Sequence, residues 1–81
     1  GKQKHSTYMI VLRYDADSEV EAKLAALSGY KMKNKTMTGA YTELVAELKL
    51  TDAQLKKIDF LRNIPGVREV TLMNSVSGSV L

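Results

Sequence analysis

The stretch RNIPGVREVTL, residues 62–72, decides the fold that we predict for this chain. A helix-like segment ends at Pro65, because the residue before a proline is disfavoured in the helical conformation. Gly66 lets the backbone turn, and a strand-like segment rich in β-branched residues follows at once. Such an abrupt switch predicts a small α/β sandwich in which a helix feeds an edge strand.

The composition predicts one ordered domain and excludes several kinds of site. A chain of 81 residues has room for a single core, and 44% hydrophobic residues is an ordinary globular value. The net charge of +3 permits an acidic partner without requiring one. Because the chain has no cysteine, disulfides, thiolate metal sites and cysteine nucleophiles are excluded, which fits a reducing compartment such as the cytosol.

Two segments flank the helix-to-strand switch. Residues 51–63 predict a helix, because Thr51 followed by Gln54 matches a capping box. Its apolar stripe comprises Leu55, Ile58, Leu61 and Phe60. Residues 67–76 predict the last strand, with Val70 and Leu72 facing inward.

The first half of the chain contains a similar strand–helix pair. Residues 7–14 predict a buried central strand. Residues 15–29 then change to a helical period through Val20, Leu24 and Leu27. We expect Asp17 or Ser18 to cap this helix, Ser18 and Glu21 to form a capping box, and Gly29 to close it.

Residues 30–50 predict a hairpin whose register follows from burial. We expect a three-residue loop, Met37–Gly39, with Gly39 in the left-handed conformation and Lys33 opposite Glu43. A two-residue loop would reverse the two faces and place lysines among buried leucines. Burying unpaired lysines costs far more free energy than any turn preference. The outward face is then Lys31, Lys33, Lys35, Tyr41, Glu43, Val45 and Glu47, and the inward face is Tyr30, Met32, Leu44, Ala46 and Leu48.

The predicted element order is βαββαβ, which is an α+β fold. Since helical crossovers are right-handed, the compact solution is a ferredoxin-like sandwich. It has a four-stranded antiparallel sheet of order 4-1-3-2 and two helices on one face. Strands 1 and 3 are then central, and strand 2 is an edge whose lysines discourage edge pairing.

This order, with the passage Ile64, Pro65, Gly66, Val67 and Val70, resembles ACT-like domains. More narrowly, the chain is similar to the soluble C-terminal tails of MgtC-type and related bacterial membrane proteins. The resemblance implies a cytoplasmic regulatory module that either senses a small-molecule ligand or oligomerises, and that is tethered to membrane segments of a parent protein. One difference is that amino-acid-binding ACT domains have a glycine in the loop after strand 1, whereas YDADSEVE has none.

The chain boundaries also allow expectations about domain organisation. The sequence begins with Gly and has no initiator Met, as a cleaved purification tag leaves it. We therefore expect residues 1–6 to be a flexible lead-in to a fragment of a longer protein, residues 7–76 to be the domain and residues 77–81 to be a C-terminal tail.

The candidate chemistry lies in the loop after strand 1. Asp15 and Asp17 are the candidate ligand-binding residues, since with Glu19 and Glu21 they offer oxygen ligands to a cation. The simpler interpretation is that these carboxylates stabilise the first helix by their negative charge at its N-terminus, the positive end of the helix dipole. His5 is the only histidine and forms neither a triad nor a metal site. We therefore expect no catalysis, no cofactor and no metal.

The uncovered sheet face is the candidate interface. An apolar centre with a charged rim is typical of a protein contact, so we expect a homo-oligomer that pairs through this face or extends the sheet along an edge. The centre is Met9, Val11, Tyr41, Val45 and Met73, and the rim is Arg13, Lys33, Glu43, Glu47 and Glu69. An alternative is nucleic-acid binding by the same face. RNA-binding sheets stack bases on aromatics of the central strands, whereas we expect Tyr8 and Tyr14 to point towards the helices.

Overall fold

The computed structural model describes residues 4–74, which form the predicted order of strands and helices. Within that range, none of the helices has the length and hydropathy of a membrane span. Residues 75 and 76 of the predicted last strand lie outside the described range. The elements are β1 Ser6–Tyr14, α1 Val20–Ala25, β2 Lys31–Met37, β3 Thr42–Leu50, α2 Asp52–Lys57, a 3₁₀ helix Ile58–Asn63, and β4 Val67–Asn74.

The strands form one antiparallel sheet in the order β2-β3-β1-β4, which counted from the β4 edge is 4-1-3-2. β1 and β3 are central and β2 is an edge, as predicted. β1 and β3 pair without a shift from Ser6 opposite Leu50 to Tyr14 opposite Thr42. The four-stranded antiparallel α+β architecture is therefore confirmed.

The core lies between one face of the sheet and the helices. Alternate residues of β1 and β3 are buried on that face, because neighbouring side chains of a strand point to opposite sides. The buried cluster from strands and helices comprises Ile10, Leu12, Tyr14, Val20, Leu24, Leu44, Ala46, Leu48, Leu50, Leu61 and Ile64. Both helical segments therefore cover the same face and leave the other face open.

The second helix begins as predicted and then changes type. The Thr51 hydroxyl accepts from the Gln54 backbone N–H at 3.2 Å, and the Thr51 N–H donates to the Gln54 side chain at 2.9 Å. From Ile58 the helix is 3₁₀, whose period of three residues turns Leu61 inward and Phe60 away. Phe60 is 41% exposed, so its place in the buried stripe was wrong.

The Pro65–Gly66 turn is bonded to the loop after β1. Gly66 has φ of +88°, and its C=O accepts from the Asp15 N–H at 2.8 Å. The Ser18 hydroxyl donates to the Pro65 C=O at 2.8 Å. The sequence therefore located the turn correctly, and these bonds show what holds it.

The predicted capping of α1 was wrong in its details. Glu19 occupies the N-cap position without a side-chain bond, while Ser18 accepts from the Val20 N–H at 3.2 Å. Glu21 does not complete a capping box, because its carboxylate is bonded to other partners. The prediction that Gly29 closes this helix was also wrong: the helix ends at Ala25 with Ala26 as its C-cap, and Gly29, with φ of +71°, lies in the turn that follows.

The predicted hairpin register was also wrong. Thr38 orders a four-residue loop: its hydroxyl accepts from the Ala40 and Tyr41 N–H groups and donates to the Tyr41 C=O. Gly39 therefore needs no left-handed conformation and has none. Glu43 faces Thr36 instead of Lys33, which lies at a bulge between Met32 and Asn34.

The bulge divides the three lysines of β2 between the two faces of the sheet. Lys31 faces Glu47 on the open side, as expected, but Lys35 faces Leu44 on the helix side. The Lys35 ammonium is paired with the Glu21 carboxylate of α1 at 2.8 Å. The prediction that all three lysines look outward was therefore wrong, and the ion pair explains how Lys35 is accommodated beside the helices.

Candidate functional site

The open face carries the predicted interface residues in cross-strand rows. In the middle row, Val11 of β1 lies between Val45 of β3 and Thr71 of β4. In the next row, Met9 lies between Glu47 and Met73. Side chains directly opposite each other share a face, so Met9, Val11, Val45 and Met73 form one apolar centre.

The third row is charged. Arg13 lies between Glu43 of β3 and Glu69 of β4, with guanidinium-to-carboxylate distances of 2.9 Å and 3.7 Å. The hydrogen bond to Glu43 raises the pKa of Arg13 above its ordinary value. The guanidinium also lies 5.1 Å from the centre of the Tyr41 ring. Tyr41, the fifth predicted interface residue, therefore contacts Arg13 at the rim of the apolar centre.

The open face has a shallow depression and accessible side chains. The depression has a volume of about 230 Å³ and is lined by Val11, Arg13, Glu43, Glu69, Thr71 and Met73. Met73 is 46% exposed, while Val11 and Val45 are partly buried by their neighbours. A low apolar centre beside a charged row resembles a protein contact surface more than an enclosed ligand site.

The aromatic residues of β1 lie on the helix side, as predicted. Tyr14 is 2% exposed and Tyr8 packs against the core. The Tyr14 hydroxyl donates to the Glu21 carboxylate at 3.2 Å, and burial, with this nearby charge, raises the pKa of Tyr14 to about 12. The central strands therefore present no tyrosine on the open face within residues 4–74.

The candidate ligand residues Asp15 and Asp17 lie on one cleft. It has a volume of about 560 Å³ and is lined by residues of the β1–α1 loop and of the Pro65–Gly66 turn. Phe60 and Asn63 also line the cleft. No sequence pattern predicted that Phe60 lines this cleft, because the 3₁₀ helix that exposes it was not predicted.

The acidic residues near this cleft do not converge. Asp15 accepts from the Arg68 guanidinium at 2.7 Å, because a bulge in β4 at Arg68 turns this side chain towards the loop. Glu21 is engaged with Lys35 and Tyr14, and the hydrogen bond from Lys35 lowers its pKa. No three histidine, aspartate or glutamate side chains among residues 4–74 are grouped as a metal ion would require.

A further groove of about 300 Å³, which the sequence did not reveal, lies on the helix side. It is lined by Leu27, Leu50, Gln54, Lys57, Ile58 and Phe60.

No protein-family model, curated protein or solved structure gives a match to this chain. The surfaces described above are therefore the basis on which its function is inferred.

Proposed function

We propose that this chain is a non-enzymatic ACT-like domain of ferredoxin-like fold that regulates or assembles a larger protein. It associates with a second copy through the open sheet face. The observation that carries the proposal is the apolar centre of Met9, Val11, Val45 and Met73 with charged residues around it. Burial of such a centre against its own copy removes apolar area from water, at about 25 cal/mol per Å².

The charges around the apolar centre favour specific association with a second copy over non-specific aggregation. Arg13 is already compensated by Glu43 and Glu69, so covering this row does not leave a bare cation. Lys31 and Glu47 lie opposite each other at the far end of the face. A face with both charge signs at its ends can be complementary to itself, as a two-fold dimer requires.

Sedimentation equilibrium tests this proposal. The wild-type chain should show a concentration-dependent dimer, and Val11→Glu or Val45→Glu should shift it to monomer because each puts a carboxylate in the apolar centre. Ala53→Glu is the matched control, since it adds the same charge to an exposed position of α2. A wild-type chain that stays monomeric at millimolar concentration, or a control that dissociates equally, contradicts the proposal.

A second candidate function is the sensing of a small molecule in the cleft beside Asp15 and Asp17. Its volume of about 560 Å³ is within the range of ligand pockets, and its walls carry charged and apolar side chains. Free amino acids, the ligand class suggested by the resemblance, can be screened by thermal shift. A specific ligand should raise the midpoint in the wild type and less in Asp17→Asn, while an unchanged midpoint across the set excludes this class.

We further propose that the domain lies on the cytoplasmic side of a bacterial membrane protein. The support for this is the resemblance to the tails of MgtC-type proteins. The sequence of the full-length gene product tests it: apolar spans encoded next to this domain support a tether, and a complete reading frame without them contradicts it.

A further inference from the structure

The edge strand β2 differs from the rest of the sheet because it is exposed along its whole length. All seven residues of Lys31–Met37 are exposed. β2 is paired with β3 on one side, so its other side presents backbone N–H and C=O groups with no strand partner within residues 4–74. Such an edge is a template on which another extended chain can add a strand.

The side chains of β2 differ between the two faces of the sheet. On the helix side, Met32 and Met37 are 52% and 71% exposed, while Lys35 between them is compensated by Glu21. On the open side, Lys31 lies opposite Glu47. The edge therefore offers two apolar contacts on the helix face of the sheet and a cationic contact on its open face.

The uncompensated charge of this edge is positive. No acidic residue occurs between Glu21 and Glu43 in the sequence. Among residues 4–74, neither Lys31 nor Lys33 forms an ion pair within 4.0 Å. An incoming strand with carboxylates would compensate these two lysines, whereas a basic strand would be repelled.

A second copy of β2 does not fit this edge. Pairing two β2 strands would bring lysines close to lysines without an acid on either strand, which is destabilising. The occupant must therefore have a different sequence from β2.

We infer that the β2 edge binds an extended acidic segment of another protein as a fifth strand. In this segment, apolar and acidic residues alternate, so that the apolar side chains contact Met32 and Met37 while the carboxylates lie near Lys31 and Lys33. The backbone of the segment bonds to the free edge of β2. Lys31 also lies on the open side of the sheet, but the free backbone edge of β2 is distinct from the apolar centre of that face, so strand addition does not depend on dimer formation.

The probe is a capped peptide of alternating valine and glutamate, with a peptide that has lysine for every glutamate as its control. Binding is followed by NMR shifts and amide exchange at about 0.15 M ionic strength, where the screening length is about 8 Å. The glutamate peptide should bind saturably and slow exchange in residues 31–37, and the lysine peptide should not bind. Val11→Glu should leave this binding unchanged.

Protein variants test the two lysines. Lys31→Glu/Lys33→Glu should weaken the peptide about tenfold or more, as expected for the loss of two exposed charge pairs. Lys56→Glu/Lys57→Glu makes the same change of charge on α2 and should bind like the wild type. All four positions are exposed, so thermal midpoints should stay close to that of the wild type.

Several results would overturn the inference. They are no saturable binding of the glutamate peptide, equal binding of the lysine peptide, or slowed exchange on β1 and β4 in place of β2. Loss of binding in the α2 control would also overturn it. Displacement of the peptide by a short uridine RNA that protects the same amides would assign the lysines to phosphate binding instead.

Discussion

β3 has two neighbours, and its pairings with them differ in kind. Towards β1 it keeps one register from end to end, and alternate residues of both strands are buried. Towards β2 the register shifts at Lys33, and no residue of β2 is buried. A shift by one residue would turn every core side chain of β1 to the open face, whereas β2 can shift without exposing a core residue. Burial therefore fixes the register of the central strands, and the turn and the lysines decide that of the edge.

The largest effect on stability should come from truncating a buried apolar side chain of β3, compared with the same truncation of an exposed one on β2. Leu44→Ala empties a fully buried site of β3 and should lower the free energy of unfolding by about 2–5 kcal/mol. Met32→Ala, on the exposed edge, should change it by less than about 0.5 kcal/mol. Urea denaturation measures both values, and similar losses at the two sites would show that β2 belongs to the core.

An intermediate effect is expected from glycine replacements in the turns of the two regions. Gly66→Ala should cost about 1–3 kcal/mol, because φ is +88° and the new Cβ would lie 3.0 Å from the Cβ of Ser18. Gly39→Ala in the hairpin loop meets open space without a positive φ, so it should be neutral or stabilise by up to about 1 kcal/mol. Thermal unfolding compares them, and equal losses would mean that the hairpin loop is also conformationally strained.

The smallest effect concerns the link between the two regions, the ion pair of Glu21 with Lys35. Because the pKa of Glu21 is lowered in the folded chain, its contribution is present above the unfolded value near 4.5 and is lost as pH falls through the folded value. Both partners are partly exposed, so the contribution should stay below about 1 kcal/mol.

The matched variant for this link is Glu21→Gln. Its unfolding free energy should fall less than that of the wild type when the pH drops below 4.5. Urea titrations at a series of pH values measure the difference. Parallel curves for the two proteins would show that the pair adds nothing to the attachment of β2.

The sequence predicted the features that depend on local pattern. Alternation in β3 identified the buried face, the pair Thr51 and Gln54 identified a helix start, and Pro65–Gly66 identified the last turn. The open face was predicted because it is the complement of that buried face. The residues offered as an interface do share one surface, but whether they bind a second copy stays a prediction.

The features that the sequence did not predict depend on contacts between distant segments. Ser18 donates to the Pro65 C=O, and Arg68 reaches Asp15 through a bulge. In the hairpin, the Thr38 hydroxyl closes a four-residue loop, whereas the sequence predicted a three-residue loop from Gly39. The bulge at Lys33 has no local sequence signal, because no apolar pattern constrains an exposed edge strand.

The most direct test of the open-face association is an isotope-filtered NMR experiment on a mixture of labelled and unlabelled chains. It detects contacts between copies only. Association through the open face predicts cross-peaks between copies that involve the methyl groups of Val11, Val45 and Met73. Intermolecular cross-peaks confined to β2 or to the helices, or none under conditions in which sedimentation shows a dimer, would contradict it.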